Sequence, residues 1–472
     1  MTAPAERTAG RFWPGLALIS ALGFAGRLAY LFTSKVDHTS TIHQGDAFWY
    51  SSVAWITAKG HPFVNPFFNV PTADHPPMTV VVLTPVAWLF PNNTIALRLV
   101  MVALGTATIV VVGLAGRRLS GPRVGLASAA FAALLPTLWV NDVLIMSETP
   151  TALAVAAVLY LGIVLSQTPT VRLALLAGAV CGLAALTRAE TGLFLPLLIW
   201  PVLALARDLE WRQRVGRIAV ATAATAVVMA PWALFNLTRF DEPVPISTND
   251  GLTLLGANCH DTYHGPILGG WLIQPCIQDF WNTMDDRKPP GPASFPKGHP
   301  CADTSQHRPP CWDASTVSKL MRADGARYLK GHLSDLPKVV YARNGRVWGW
   351  YRLDQSVGTG GFEGRVGWVT RLGYIVGWVM IPVAAVGAVL LRRRRISLLP
   401  FGSSLLIVVL VSSAFYGLVR FRIPWDVASC LLCGVAVAAL FDRWMPAEIP
   451  TPEPSPAPTP EGDGSELVSP TR

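Results

Sequence analysis

The residues of this chain whose types and settings can do chemistry are few. Asp46 lies in "QGDAFW", Asp74 and His75 in "TADHPP", and Glu148 in "IMSETP". Arg188 lies in "LTRAET", and Arg420 and Arg422 in "LVRFRIP". Two carboxylates and an imidazole at one surface can take a proton from a hydroxyl or hold a divalent cation. Asp46, Asp74 and His75 are therefore also the candidate ligands of a metal. Guanidinium forks match the geometry of phosphate. Each residue has a plainer reading as well. Asp46 before "AFWYSSVAWI" suits a helix N-cap. "HPP" suits a turn carrying a solvated histidine, and Glu148 suits the positive end of a helix capped by Ser147. Outward arginines can snorkel to headgroups. Arg27, inside an apolar run, is costly there and needs a function or a partner such as Glu148 or Asp46. Company decides between these readings, so the elements that hold the residues come next.

The chain is 51% hydrophobic and only 14% charged, with a mean hydropathy of +0.40. A soluble protein carries roughly 25% charged residues. The composition and long apolar runs predict an all-α polytopic membrane protein with about ten transmembrane helices. The expected spans are 13–32, 95–115, 124–140, 149–165, 173–186, 191–206, 218–235, 372–391, 398–418 and 425–440. The start, "MTAPAERTAGRFWPG", reads as the approach to a true first span, because no small-residue cleavage site follows it.

Alternate loops are basic: Arg7 and Arg11, then "GRRLSGPR", Arg172, "RDLEWRQRVGR", "RRRR" and Arg443. The positive-inside rule turns these toward the cytoplasm. The net charge of +9 is explained in the same way, and nucleic acid is excluded as a partner because no basic patch interleaves with a soluble fold. The short apolar run 78–90 would invert every later loop if it crossed. It is expected as a re-entrant or surface helix in a first outer loop, 33–93.

The expected organisation is a transmembrane catalytic module over 1–235 and an outer-loop domain over 236–367. C-terminal helices follow over 368–441, then a disordered Pro-rich cytoplasmic tail over 442–472. Cys181, Cys430 and Cys433 fall in apolar runs. Cys259, Cys276, Cys301 and Cys311 fall in the outer loop, where disulfides, free thiols and a zinc site are the three readings. No repeat suggests a transporter built from duplicated halves. No Walker-type glycine loop suggests a nucleotide.

With these residues in place, the chain resembles polytopic glycosyltransferases of the GT-C superfamily, specifically the group of protein O-mannosyltransferases and the lipid A aminoarabinose transferase. The resemblance rests on Asp46, on Asp74–His75–Pro76–Pro77, and on "RLVMVALGTATIVVVGLAGRRLSGPRVGLASAAFAALLP". It rests also on "MSETP", "LTRAETGLFLPLL" and "RFRIP". It implies transfer of a sugar from a polyprenyl-phosphate donor to a glycan, lipid or protein acceptor at the outer face of the cytoplasmic membrane. Asp46 would be the base or metal-binding carboxylate, and Asp74 the second loop acid. Arg420 and Arg422, helped by Arg188, would bind the donor phosphate. His75, Glu148 and Arg27 would support them. The physics fits: arginines can stabilise charge growing on a phosphate leaving group, and a carboxylate on the opposite side of the sugar gives inversion. A transporter or flippase is the main alternative, and acids in outer loops rather than at mid-span favour the enzyme. A scaffold with a cysteine-bearing binding loop would leave the acids and arginines unexplained.

Overall fold

The computed structural model describes residues 4–33, 45–284 and 312–444. Cys301, Cys311, part of the first outer loop and most of the C-terminal tail lie outside the described residues. Among the described residues the structure is helical, apart from one antiparallel bridge between Val64 and Pro71. The first half runs α1 (Pro4–Thr33), α2 (Gly45–Ala58), α3 (Met78–Leu89), α4 (Thr94–Ser120), α5 (Pro122–Leu134), α6 (Pro136–Trp139), α7 (Glu148–Gln167) and α8 (Val171–Thr187). An irregular helical stretch over Ala189–Ala204 ends in α9 (Trp200–Ala204), and α10 is Trp211–Leu237. Six shorter helices follow: α11 (Asn249–Ala257), α12 (His260–Tyr263), α13 (Cys276–Met284), α14 (Ala314–Gly331), α15 (Leu336–Trp348) and α16 (Leu353–Phe362). The chain closes with α17 (Gly367–Arg393), α18 (Leu399–Ala414), a 3₁₀ turn over Val419–Arg422 and α19 (Ile423–Trp444).

Among the described residues, six helices are long and apolar enough to cross a bilayer: Arg11–Thr33, Thr94–Ser120, Glu148–Gln167, Trp211–Leu237, Gly367–Arg393 and Val419–Phe441. Shorter apolar helices fall on the other expected spans. Local chemistry sets several boundaries. Asn93 caps α4 by accepting the Ala96 amide at 3.0 Å. Gly121, at φ 98°, ends that helix in a conformation that favours glycine, and Pro122 starts the next. Pro136 divides α5 from α6, and Pro196 and Pro201 interrupt the ladder in the irregular stretch.

Small residues let the helices close on one another. A Cβ on Gly178 of α8 would come within 2.0 Å of the Ala221 carbonyl oxygen on α10. At this crossing the Thr225 hydroxyl donates to the Gly178 carbonyl at 2.7 Å. Helix α3, with 12 residues, reaches about 18 Å at 1.5 Å per residue, well short of a bilayer core of roughly 30 Å. It packs instead on α2 and α4, burying Val80, Leu83 and Ala87 against Trp49, Tyr50, Val53, Leu97 and Met101.

The bundle has a basic end. Arg117 lies over the Phe12 ring at 4.5 Å. Arg394 donates to the Ser120 hydroxyl, and Gln167 to the Arg118 carbonyl. The N-terminal helix and the loops near 120, 168 and 394 therefore share one end. Helices α7, α17 and α19 start, and α8 finishes, at the other.

Helices α11 to α16 form two small cores of their own, one around Leu255, Ile277, Phe280 and Met321 and one around Tyr263, Leu268, Val339 and Ala342. A disulfide joins Cys259 to Cys276, so these two thiols are not zinc ligands. Cys181, Cys430 and Cys433 are buried free thiols, as their apolar runs imply. Arg343, fully buried, donates to the carbonyls of Ala257 and Ser413 and so fastens this region to the end of α18.

Candidate active site

At the end away from the basic loops, residues from six parts of the chain meet. Asp46 stands in the first turn of α2. Its Oδ2 accepts from Arg420 Nη2 at 2.7 Å, and its Oδ1 lies 3.6 Å from His75 Nε2. His75 is held edge-on to Trp49 and tilted over Tyr50, with ring centroids at 4.8 and 5.0 Å. Pro77, two residues on, sets the start of α3.

Arg420 is the hub. Beyond Asp46, its Nε lies 2.7 Å from Glu148 Oε1 and its Nη1 donates to Glu363 Oε1 at 2.7 Å. Glu148 is completely buried. It also pairs with Arg365 at 3.3 Å and Arg188 at 3.5 Å. Neither Glu148 oxygen has an aligned hydrogen-bond donor among the described residues, so ion-pair contact alone meets its charge. Arg188 is held in turn by Glu190 at 2.6 Å and by the Ser147 hydroxyl. Ser147 makes no side-chain cap of α7, which corrects the capping reading of "MSETP": its hydroxyl serves the site.

Electrostatics follow from this packing. Burial alone would push the Asp46 carboxyl up. The Arg420 guanidinium, with His75 and Arg188 adding to it, outweighs burial and holds Asp46 well below the usual carboxylate range. Burial, then the Asp46 charge, lifts the Tyr50 phenol above its ordinary value, so it stays a neutral hydrogen-bonding group.

The expected site residues therefore divide. Asp46, His75, Glu148, Arg188 and Arg420 converge. Asp74 lies next to His75, but its Oδ1 accepts from the Thr248 hydroxyl at 3.3 Å, and the Thr248 amide donates to the Ala73 carbonyl at 2.8 Å. It stitches the turn to the start of α11. Arg422 does not join Arg420. It donates to Asp426 at 2.9 Å and to the Gly373 carbonyl, fully buried behind the turn. The reason is the 3₁₀ geometry, which rotates each residue by about 120° and sends positions 420 and 422 in different directions. Arg27 pairs with Asp142 at 2.6 Å rather than with Glu148 or Asp46. Asp142 also accepts from Thr149, beside Glu148.

Sequence reasoning missed Glu363, Arg365, Glu190 and Tyr50. Arg365 carried a usable signal, since it lies at the outer start of a span, against the positive-inside trend, as Arg188 does.

A divalent metal fits poorly among these side chains. Among the described residues no three His, Cys, Asp or Glu groups converge on one point. The Asp46 carboxylate faces a guanidinium, and the Asp74 carboxylate is turned to Thr248. A hard cation with six or more oxygen ligands has no such set among the described residues.

Comparison with known proteins bears out the resemblance read from the sequence. A family model described as dolichyl-phosphate-mannose-protein mannosyltransferase matches residues 74–235. That segment holds Asp74, His75, Glu148 and Arg188, but neither Asp46 nor Arg420. Among solved structures, the fold is shared with the archaeal oligosaccharyltransferase AglB from Archaeoglobus fulgidus in complex with an inhibitory peptide and a dolichol-phosphate. That match has 15% identity and a TM-score of 0.53 over 92% of this chain and 50% of that one. The same enzyme tethered to an acceptor peptide gives 15% identity, a TM-score of 0.52 and the same coverage. The chain thus spans about half the length of this oligosaccharyltransferase. ArnT from Cupriavidus metallidurans bound to undecaprenyl phosphate aligns over 92% of this chain and 81% of its own, at 18% identity and a TM-score of 0.41. A search of curated proteins gives no match.

Proposed function

We propose that the chain is an integral membrane glycosyltransferase that moves a sugar from a polyprenyl-phosphate donor to an acceptor at the outer face of the cytoplasmic membrane. One observation carries this reading. Asp46 and Arg420, 374 residues apart, are in direct contact at 2.7 Å, at the end of the bundle opposite the basic loops. The dolichol-phosphate bound to AglB is a ligand of that class.

The chemistry then runs as follows. The acceptor oxygen attacks the anomeric carbon, its proton passes to the Asp46 carboxylate, and the bond from carbon to phosphate oxygen breaks with inversion. The electron pair leaves on the phosphate, where Arg420 stabilises it, with Arg188 supporting from behind. Asp46 paired with Arg420 is a weak base. When the donor phosphate shares the Arg420 guanidinium, its hold on Asp46 weakens, burial raises the carboxyl and makes it a better base, so base strength is coupled to donor occupancy. Asp74 acts through the turn that carries His75, and Arg422 acts by holding the turn that carries Arg420.

In this reading all ten expected spans cross, the four shorter ones among packed neighbours. Residues 1–235 form the catalytic module, with 236–367 over the outer face. The test is transfer of radiolabelled sugar from a polyprenyl-phosphate donor by membranes or purified chain. Covalent product that depends on Asp46 supports the proposal. Substrate movement across proteoliposomes without covalent product would replace it with a transporter.

A further inference from the structure

Glu363 is bound in an unusual way for a side chain that the sequence did not mark. One oxygen accepts from Arg420 Nη1 at 2.7 Å and the other from Arg365 Nη1 in a shorter contact. A single carboxylate thus bridges two guanidiniums through both oxygens, which is how a phosphate is held by a pair of arginine forks. The two arginines are fixed from the opposite side. Arg365 donates from Nε to Asn141 Oδ1 at 2.9 Å and pairs with buried Glu148, and Arg420 pairs with Glu148 and Asp46. Exposure follows the same order: 2% for the Arg365 side chain, 9% for Arg420 and 17% for Glu363. Glu363 is the outermost of the three.

Its mounting differs from that of the other acids. Asp46 and Glu148 sit in the first turns of helices, whereas Glu363 follows the end of α16 in "GTGGFEG". The turn's backbone hydrogen bonds run among residues 360–365. Gly364 stands at φ 85°, and a side chain at Gly361 would meet open space. Those backbone bonds are internal to the turn, and Arg365 at its end stays anchored to Asn141, so release of Glu363 needs only rotation of its own side chain. A narrow cleft lined by Asn141, Val369, Val419 and Ile423 also reaches Arg365 and Arg420.

We propose that Arg365 and Arg420 together form the receptor for the phosphate of a polyprenyl phosphate, and that Glu363 occupies that receptor until the phosphate displaces it. This rests on the glycosyltransferase reading above and deepens it. The internal carboxylate keeps two buried guanidiniums neutralised while no lipid phosphate is present. It also imposes selectivity: a ligand must carry enough charge to outcompete a tethered carboxylate, so phosphate-free prenols gain nothing from the site.

The test uses the purified full chain in detergent, with farnesyl phosphate as probe and farnesol as the phosphate-free control, read by tryptophan fluorescence. Glu363→Gln should tighten farnesyl phosphate binding on the order of tenfold and leave farnesol unchanged. Glu363→Asp, too short to bridge both arginines, should fall between. Arg365→Lys, which keeps charge but loses the fork, should weaken farnesyl phosphate on the order of tenfold. Thermal unfolding of each variant separates binding loss from misfolding. If Glu363→Gln leaves or weakens phosphate binding while Arg420→Gln still abolishes it, the displacement proposal falls and the donor-site reading stands. If the wild-type chain does not distinguish farnesyl phosphate from farnesol, and Arg420→Gln changes nothing, the donor-site reading falls and takes this one with it.

Discussion

Two arginines two residues apart in the same turn live in opposite electrostatic worlds. Arg422 is closed into one pair with Asp426 and is sealed from solvent. Arg420 faces Asp46, Glu148 and Glu363 at once, and two of those acids are partly exposed. A one-to-one buried pair is complete as it stands. A cation shared among several acids, with an open side, is arranged to change partners. Arg27 with Asp142 belongs to the first kind, and Arg365 to the second. Burial of arginine alone therefore does not mark a site in a membrane protein. The count and exposure of its counter-charges do.

The largest losses are expected at the shared cluster. Asp46→Asn should cut sugar transfer by about 10²–10⁴-fold with unchanged protein level; near-wild-type transfer would remove Asp46 from the reaction. Arg420→Gln should cost about 10²–10³-fold in transfer. It should also lower thermal stability, because three carboxylates lose their common cation. The closed pair should behave in the reverse manner. Asp426→Asn should destabilise by about 3–5 kcal/mol, seen as a lower unfolding temperature, while transfer per folded molecule changes little. A large loss of transfer in a stable Asp426 variant would erase the distinction.

The pH profile sharpens it further. Asp46 is held below the usual carboxylate value of about 3.9, so it stays ionised above that range. Its charge-paired contribution is lost only as pH falls through the lowered value. Wild-type donor binding should therefore show no acid limb from Asp46 down to about pH 5. In Arg420→Gln the largest opposition to burial is lost and only His75 and Arg188 remain, so the acid limb of residual transfer should move toward neutral pH. The smallest effect is expected at Thr248→Ala, which frees the turn bearing Asp74 and His75. A severalfold drop in transfer without loss of fold would place that turn in a positioning role.

Much of the architecture was legible because a bilayer imposes crude rules. Apolar runs located the helices, and the alternation of basic loops, which a crossing at 78–90 would invert, set the expected topology. Asp46, His75, Glu148, Arg188 and Arg420 were legible as charged groups on the unexpected side. What failed to show was direction. A sequence gives no sign that a 3₁₀ turn points Arg422 away from Arg420, or that Asp74 turns to Thr248. Glu363 lay at the end of the outer-loop stretch 236–367 with no neighbouring motif to single it out, although Arg365 beside it carried the signal of an arginine at the outer start of a span. The pairing of Cys259 with Cys276 could not be chosen among the three that four cysteines permit.

The distance along the chain between Glu148 and Arg420 has a consequence for biosynthesis. A ribosome delivers Glu148 into the growing bundle long before Arg420 has been made. Through that interval a buried acid waits for its main counter-ion, and protonation or water must tolerate it. The final helix thus acts as the keystone of assembly. Truncation just before position 419 should leave Glu148 to the more distant Arg188 and Arg365 alone, an under-compensated charge that membrane quality control can read.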